Sequence, residues 1–163
     1  MVIGIDPGLA STGYALVRRD GSRLVTVACG TLRTSPRTPH ADRLRALHDG
    51  VAALIDREGV VDAAIESWFV HPPSRTAMGM AEARGAILVA LAGRGLAVAE
   101  YAPNEVKQAV TGNGRAEKQQ VRAMVARLAS GPSAETDHAA DALAIAICHL
   151  NRSALADAVR RAL

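Results

Sequence analysis

Two short apolar runs in this chain each end in a carboxylate. Val2-Ile3-Gly4-Ile5 runs into Asp6, and Val60-Val61-Asp62-Ala63-Ala64-Ile65 runs into Glu66. Runs of this length read as buried strands, and Pro7-Gly8 marks a turn directly after the first. An acid at the edge of a core is costly unless something positive compensates it: a metal ion, a basic side chain or a set of backbone amides. If the two strands are neighbours, their carboxylates meet at one end of a sheet. That end is then the place to look for chemistry.

The rest of the chain supplies the sheet and its cover. After a turn over 7–13, Tyr14-Ala15-Leu16-Val17 and the run from Leu24 to Leu32 read as second and third strands joined by a hairpin at Asp20-Gly21, so the chain opens as an antiparallel meander. Leu44, Leu47, Val51 and Leu54 recur at helical spacing. The second acid-tipped strand follows, then a proline-broken loop over 67–75. Ser74 can cap a helix through Met78, Met80, Ile87 and Leu91, in which small residues allow close packing. A fifth strand over 97–101 leads into a helix with Pro103 early in it. Further helices are expected over 118–128 and 139–150, the latter capped by Thr136 or Asp137, with a last amphipathic turn or two beyond it. The order βββαβαβααα predicts an α/β fold, a five-stranded mixed sheet flanked by helices, in one domain over 1–163.

His138 and Asp141 are three apart and share a helical face. With Asp6 and Glu66 they form a candidate acidic constellation. Converging carboxylates raise one another's pKa, so a site that keeps two or three ionised calls for a divalent cation, and hard oxygen ligands favour magnesium or manganese. Taken singly, each residue has a plainer reading: Asp6 as a turn former, Glu66 as a solvated strand end, Asp137 as a cap or a partner of the helix dipole.

Composition narrows the partners. A net charge of +3 and a pI near 9.3 permit a polyanionic ligand without requiring one. Among 19 basic residues only Lys107 and Lys118 are lysines, which suggests a lysine-specific task for this pair. Cys29 and Cys148 lack metal-ligand or CxxC spacing and read as buried free thiols of a reducing compartment. No signal peptide and no membrane span is expected, which predicts a cytoplasmic protein with no membrane partner.

Six segments, in order and spacing, carry a likeness: Ile3-Gly4-Ile5-Asp6-Pro7-Gly8, Ile65-Glu66, Ala83-Arg84-Gly85-Ala86, Val106-Lys107-Gln108, Ala116-Glu117-Lys118 and the stretch from His138 to Ala146. Over about residues 1–150 the chain resembles the RuvC family of Holliday junction resolvases. The resemblance implies an RNase H-like fold, a homodimer, and metal-dependent nicking of two symmetry-related strands of four-way junction DNA. It also implies the RuvA and RuvB branch-migration proteins as partners.

By that resemblance Asp6, Glu66 and Asp141 match acidic catalytic positions. His138 takes the fourth, where members carry aspartate or histidine, and Asp137 is one residue away from it. Lys107 and Lys118 match lysines used near the scissile phosphate. Two ions about 4 Å apart activate a water and stabilise the leaving 3′ oxygen in such a site. Products carry 5′ phosphate and 3′ hydroxyl. Lys118 is expected to stabilise developing charge and Lys107 to hold a backbone phosphate. Because histidine is the softer ligand, manganese is expected to support activity better than magnesium. Phe69, beside Trp68, matches a wedge that stacks on an unpaired base, while Trp68 reads equally as a loop anchor. Arg75 is a further candidate DNA contact.

The segment 71–75 departs from the family pattern and leaves the preferred cleavage sequence open. Other readings are an RNase H-like nuclease acting on structured RNA, a fragment of an actin-like ATPase, or a junction-binding module without catalysis. The ATPase reading requires a second domain and a second phosphate loop, for which 163 residues leave no room.

Overall fold

The computed structural model describes the backbone of residues 1–67 and 74–162, with side chains for all of these except Arg75 and residues 155–162. Strands β1 (Val2–Asp6), β2 (Ser11–Asp20) and β3 (Arg23–Arg33) form the expected meander. They are followed by α1 (His40–Glu58), β4 (Asp62–Glu66), α2 (Arg75–Ala92), β5 (Val98–Tyr101), α3 (Pro103–Thr111), α4 (Lys118–Leu128), β6 (Ala129–Ser130) and α5 (Asp137–Ala162).

The sheet order is β5-β4-β1-β2-β3-β6. Strand β1 lies antiparallel to β2 and parallel to β4, and β4 is parallel to β5. A central strand covered on both faces needs apolar residues on both, which is why β1 reads as a continuous apolar run. Its alternation sends Ile3 and Ile5 into the core beneath α1 and α2, and Gly4 beneath α5. Ile65 joins Ile3 and Ile5, whereas Ala64 packs with the α5 side. Counting by two, Asp6 and Glu66 therefore face α5.

Helix α5 lies close on the sheet because both surfaces are small at their contact. A Cβ on Gly4 would run into the carbonyl of Ala142 and the side chain of Ala146, and one on Gly13 would meet the carbonyl of His138. The alanines from Ala139 to Ala146 that line this contact are almost wholly buried. Such close backbone approach is what glycine permits.

Three expectations are corrected. The sheet has six strands, not five: Ala129 and Ser130 pair with Leu24 and Val25, and two residues are too short to leave a periodic signal. Strand β2 begins at Ser11, within the segment expected to be a turn, because Thr12 closes the preceding loop. Its hydroxyl donates to the Gly8 carbonyl at 2.7 Å and accepts from the Gly8 N–H at 3.2 Å. Finally, α5 runs unbroken from Asp137 to Ala162, so the helix expected over 139–150 and the amphipathic turns expected beyond it form one element. Ser74 caps α2 as expected, and at α5 Thr136 is the cap, its hydroxyl accepting from the Ala139 N–H at 3.1 Å.

Candidate active site

Parallel pairing of Ile5 with Ile65 sets Asp6 and Glu66 side by side at the ends of β1 and β4. Asp6 is held by His138, whose Nδ1 lies 2.7 Å from its carboxylate. Burial nevertheless keeps the Asp6 carboxyl above its ordinary value, against the lowering effect of that hydrogen bond. Glu66 is pushed up to about 7, first by burial and then by the negative charges of Asp6 and Asp141, with Lys107 and Lys118 only partly offsetting them. Among the described residues its carboxylate makes no hydrogen bond or ion pair.

The opposite wall is the first turn of α5 and the start of α4. Asp141 faces the Lys118 ammonium at 3.2 Å, and Asp137 approaches the same ammonium at 3.4 Å while accepting from Arg122 at 3.0 Å. Partial burial pulls Lys118 down, but Asp141 and Asp137 outweigh it and hold the ammonium above its usual value. Asp137 is thus committed to α4, and His138 is the residue that reaches Asp6. Lys107, on α3, lines with Glu66, Lys118 and Asp141 a cavity of about 230 Å³. The expected clustering of Asp6, Glu66, His138, Asp141, Lys107 and Lys118 is present.

The side chains are not arranged as a closed metal cage. Among the described residues no three His, Cys, Asp or Glu side chains stand close enough together to hold an ion. Asp6 is turned toward His138 and Asp141 toward Lys118. The chemistry of the set still fits a hard divalent cation: three carboxylates and an imidazole lie at one end of the sheet, and a Glu66 pushed up to about 7 marks a site short of positive charge.

Phe69 and Trp68 lie outside the described residues; Arg75 opens α2, with its side chain likewise undescribed. Both cysteines are free, Cys148 buried as expected and Cys29 only partly so. Sequence reasoning missed the part played by Arg122, although its position one turn after Lys118 on α4 pointed to it. It also gave no role to Arg84, which lines a second cavity with Asp6 and Glu66. The chain Tyr101–His149–Asp62, buried at Tyr101 and His149, went unseen too. Its hydrogen bonds of 2.8 and 2.7 Å tie β5, α5 and β4 together on the side chains of residues far apart in sequence.

Known proteins resemble this chain in sequence and share its fold. The family model described as crossover junction endodeoxyribonuclease RuvC matches residues 2–149. Crossover junction endodeoxyribonuclease RuvC of Azorhizobium caulinodans is 44% identical over 161 residues, covering 99% of this chain and 95% of its own length. That of Pelotomaculum thermopropionicum is 45% identical over 150 residues, covering 91% and 92%. The solved structure of Thermus thermophilus RuvC in complex with Holliday junction substrate superposes with a TM-score of 0.88 at 32% identity, over 95% of each chain. The fold is RNase H-like, and no helix among the described residues is long and apolar enough to cross a membrane. The chain belongs to the RuvC family of crossover junction endodeoxyribonucleases.

Proposed function

We propose that this protein resolves four-way (Holliday) DNA junctions in homologous recombination and DNA repair, cutting two symmetry-related strands by metal-dependent hydrolysis. The observation that carries the reading is the meeting of Asp6, Glu66, His138 and Asp141 at one sheet end, with Lys118 against Asp141. It is supported by the likeness to a RuvC solved with a Holliday junction. The unit is a single RNase H-like nuclease domain working in the cytoplasm, where RuvA and RuvB are the partners that family membership suggests.

Asp6, Glu66, Asp141 and His138 are the groups that would hold two divalent ions, magnesium or manganese, which when bound supply Lewis-acid charge at the phosphodiester and make water acidic. Asp6 and Glu66 face the same side of the sheet and give the site its negative charge. His138 orients Asp6 through its Nδ1. Lys118 sets a fixed positive charge beside Asp141, where it can meet charge developing on the phosphoryl oxygens. Lys107, from the far wall of the same cavity, fits a neighbouring backbone phosphate. Water adds to phosphorus as the bond to the 3′ oxygen breaks, leaving a 5′ phosphate and a 3′ hydroxyl. Phe69 is the residue assigned to stacking at the crossover, and Arg75 a further DNA contact.

Paired nicks require two sites related by a two-fold axis. Helix α2 offers a face for this: Met78 and Val89 are 62% and 63% exposed, and Gly85 between them is open to a close neighbour. Their spacing follows the seam of a packed helix pair.

Incubating the protein and Asp6→Asn with a synthetic four-way junction, a linear duplex and a structured RNA, each with manganese, tests the reading. Symmetric nicks confined to the junction and absent in the variant are expected. Cleavage of RNA alone, or nicking that survives in the variant, would overturn it.

A further inference from the structure

Arg84, in the third turn of α2, stands at the back of the acidic site. Its Nη2 is anchored 2.7 Å from the Glu100 carboxylate on β5, and its side chain is only 18% exposed. Its Nε–H, in contrast, is buried with no acceptor among the described residues. Arg84 lines a small cavity together with Asp6, Glu66 and Ser67. On that wall Glu66 presents a carboxylate that, among the described residues, has no donor. One cavity of about 30 Å³ is therefore lined by the residue that carries an unmet donor and the residue that carries an unmet acceptor. It has room for about a single water.

Buried polar groups are almost always satisfied, and an unsatisfied one asks for an explanation. Bulk solvent does not reach the buried Nε–H, so its partner has to be a neighbouring group or a water held in that cavity. The Glu100 carboxylate already engages the guanidinium at Nη2, which restrains how far the Nε–H can turn to find another acceptor. Lysine in this place would keep the positive charge and the reach to Glu100 but would have no second donor on a rigid plane.

We infer that Arg84 is a positioning residue for Glu66: clamped by Glu100, it presents its Nε–H, directly or through one water, to the Glu66 carboxylate and fixes that carboxylate's orientation in the cleavage centre. The inference rests on the proposed role of Asp6 and Glu66. Outer hydrogen bonds of this kind orient ligating carboxylates, and their loss typically costs about 10–100-fold in metal affinity or activity. It also gives a function to the Ala83-Arg84-Gly85-Ala86 segment. Arg84 faces the acids while Gly85 opens on the exposed face of α2.

The test compares Arg84→Lys, Glu100→Gln and Asp6→Asn with the parent protein. For Arg84→Lys, single-turnover cleavage of a four-way junction is expected to slow about tenfold or more, and manganese binding by calorimetry to weaken by about the same factor. Junction binding in EDTA should stay within about twofold and the melting temperature within a few degrees. Glu100→Gln, which keeps the Nε–H, is expected to lose less than about threefold. Parental cleavage and manganese affinity in Arg84→Lys, or an equal loss in Glu100→Gln, would overturn the inference and leave Arg84 a strut between α2 and β5. Should Arg84→Lys fail to fold, Arg84→Gln carries the same test: parental manganese affinity in it would overturn the inference. Cleavage that persists in Asp6→Asn would instead remove the centre on which the inference depends.

Discussion

The imidazole of His138 and the carboxylate of Asp6 meet at 2.7 Å although 132 residues separate them. The contact joins the first turn of α5 to the tip of β1, and it makes histidine the group that shares the acid pair's environment. An imidazole is a softer ligand than a carboxylate. His138→Asp is therefore expected to shift the ratio of cleavage rates in manganese and magnesium toward magnesium by severalfold. Rates at saturating metal measure it, and an unchanged ratio would place His138 outside the ligand set.

Glu66 makes the metal-free protein sensitive to pH. Its carboxyl is raised from 4.5 to about 7 in the folded state, so the folded form holds a proton that the unfolded form has already released. The stability this gives is present below about pH 4.5 and lost as pH rises through about 7. Asp6, also raised, acts in the same direction. Glu66→Gln should remove most of this slope. Because the site is partly open to solvent, the gain at pH 8 is discounted to about 1 kcal/mol, or roughly 2–4 °C in melting temperature. Thermal melts in EDTA between pH 5 and 8 decide it; a variant less stable than the parent at pH 8 would refute the argument.

Lys118 carries the positive charge nearest Asp141. Lys118→Ala is expected to lower the single-turnover rate by about 10²–10³-fold, the usual cost of removing one oxyanion donor, with junction affinity falling far less. Asp137→Asn should change stability by no more than about 0.5 kcal/mol, because its pairs with Lys118 and Arg122 are exposed. Quench-flow cleavage and denaturant titration separate the two effects.

Gly4 sets the distance between sheet and helix. Gly4→Ala places a methyl against the backbone of Ala142 and the side chain of Ala146. Neither can rotate away. A loss of about 1–3 kcal/mol in stability is expected, together with a fall in cleavage as Asp141 and His138 are displaced from Asp6. An equally stable, fully active variant would show that α5 has slack on the sheet.

The exposed face of α2 is expected to hold the two subunits together. Val89→Glu places a charge on its apolar seam and should shift the protein from dimer to monomer in sedimentation experiments at micromolar concentration. A dimer that persists unchanged would move the interface elsewhere.

Much of this was written in local pattern. The strands ending at Asp6 and Glu66 were legible because their cores are apolar on both faces, and His138 and Asp141 because a three-residue step defines a helical face. Strand β6 was not, since two residues carry no period. The hydrogen bonds of Thr12 that pull β2 back to Ser11 depend on loop closure, which spacing does not encode. Asp137 and His138 are neighbours in sequence, and only the direction of the helix at its first turn decides that one turns to Lys118 and Arg122 and the other to Asp6. The empty donor of Arg84 is a property of packing alone.

Because α5 lies directly on Gly4 and Gly13, the acids on the two strands and those on the helix belong to segments made far apart in time during translation. A chain still on the ribosome carries Asp6 and Glu66 long before residues 137–141 emerge. Until that last helix docks, no emerging polypeptide has the complete set of groups proposed to cut DNA. The order of synthesis itself thus acts as a safety catch on a nuclease.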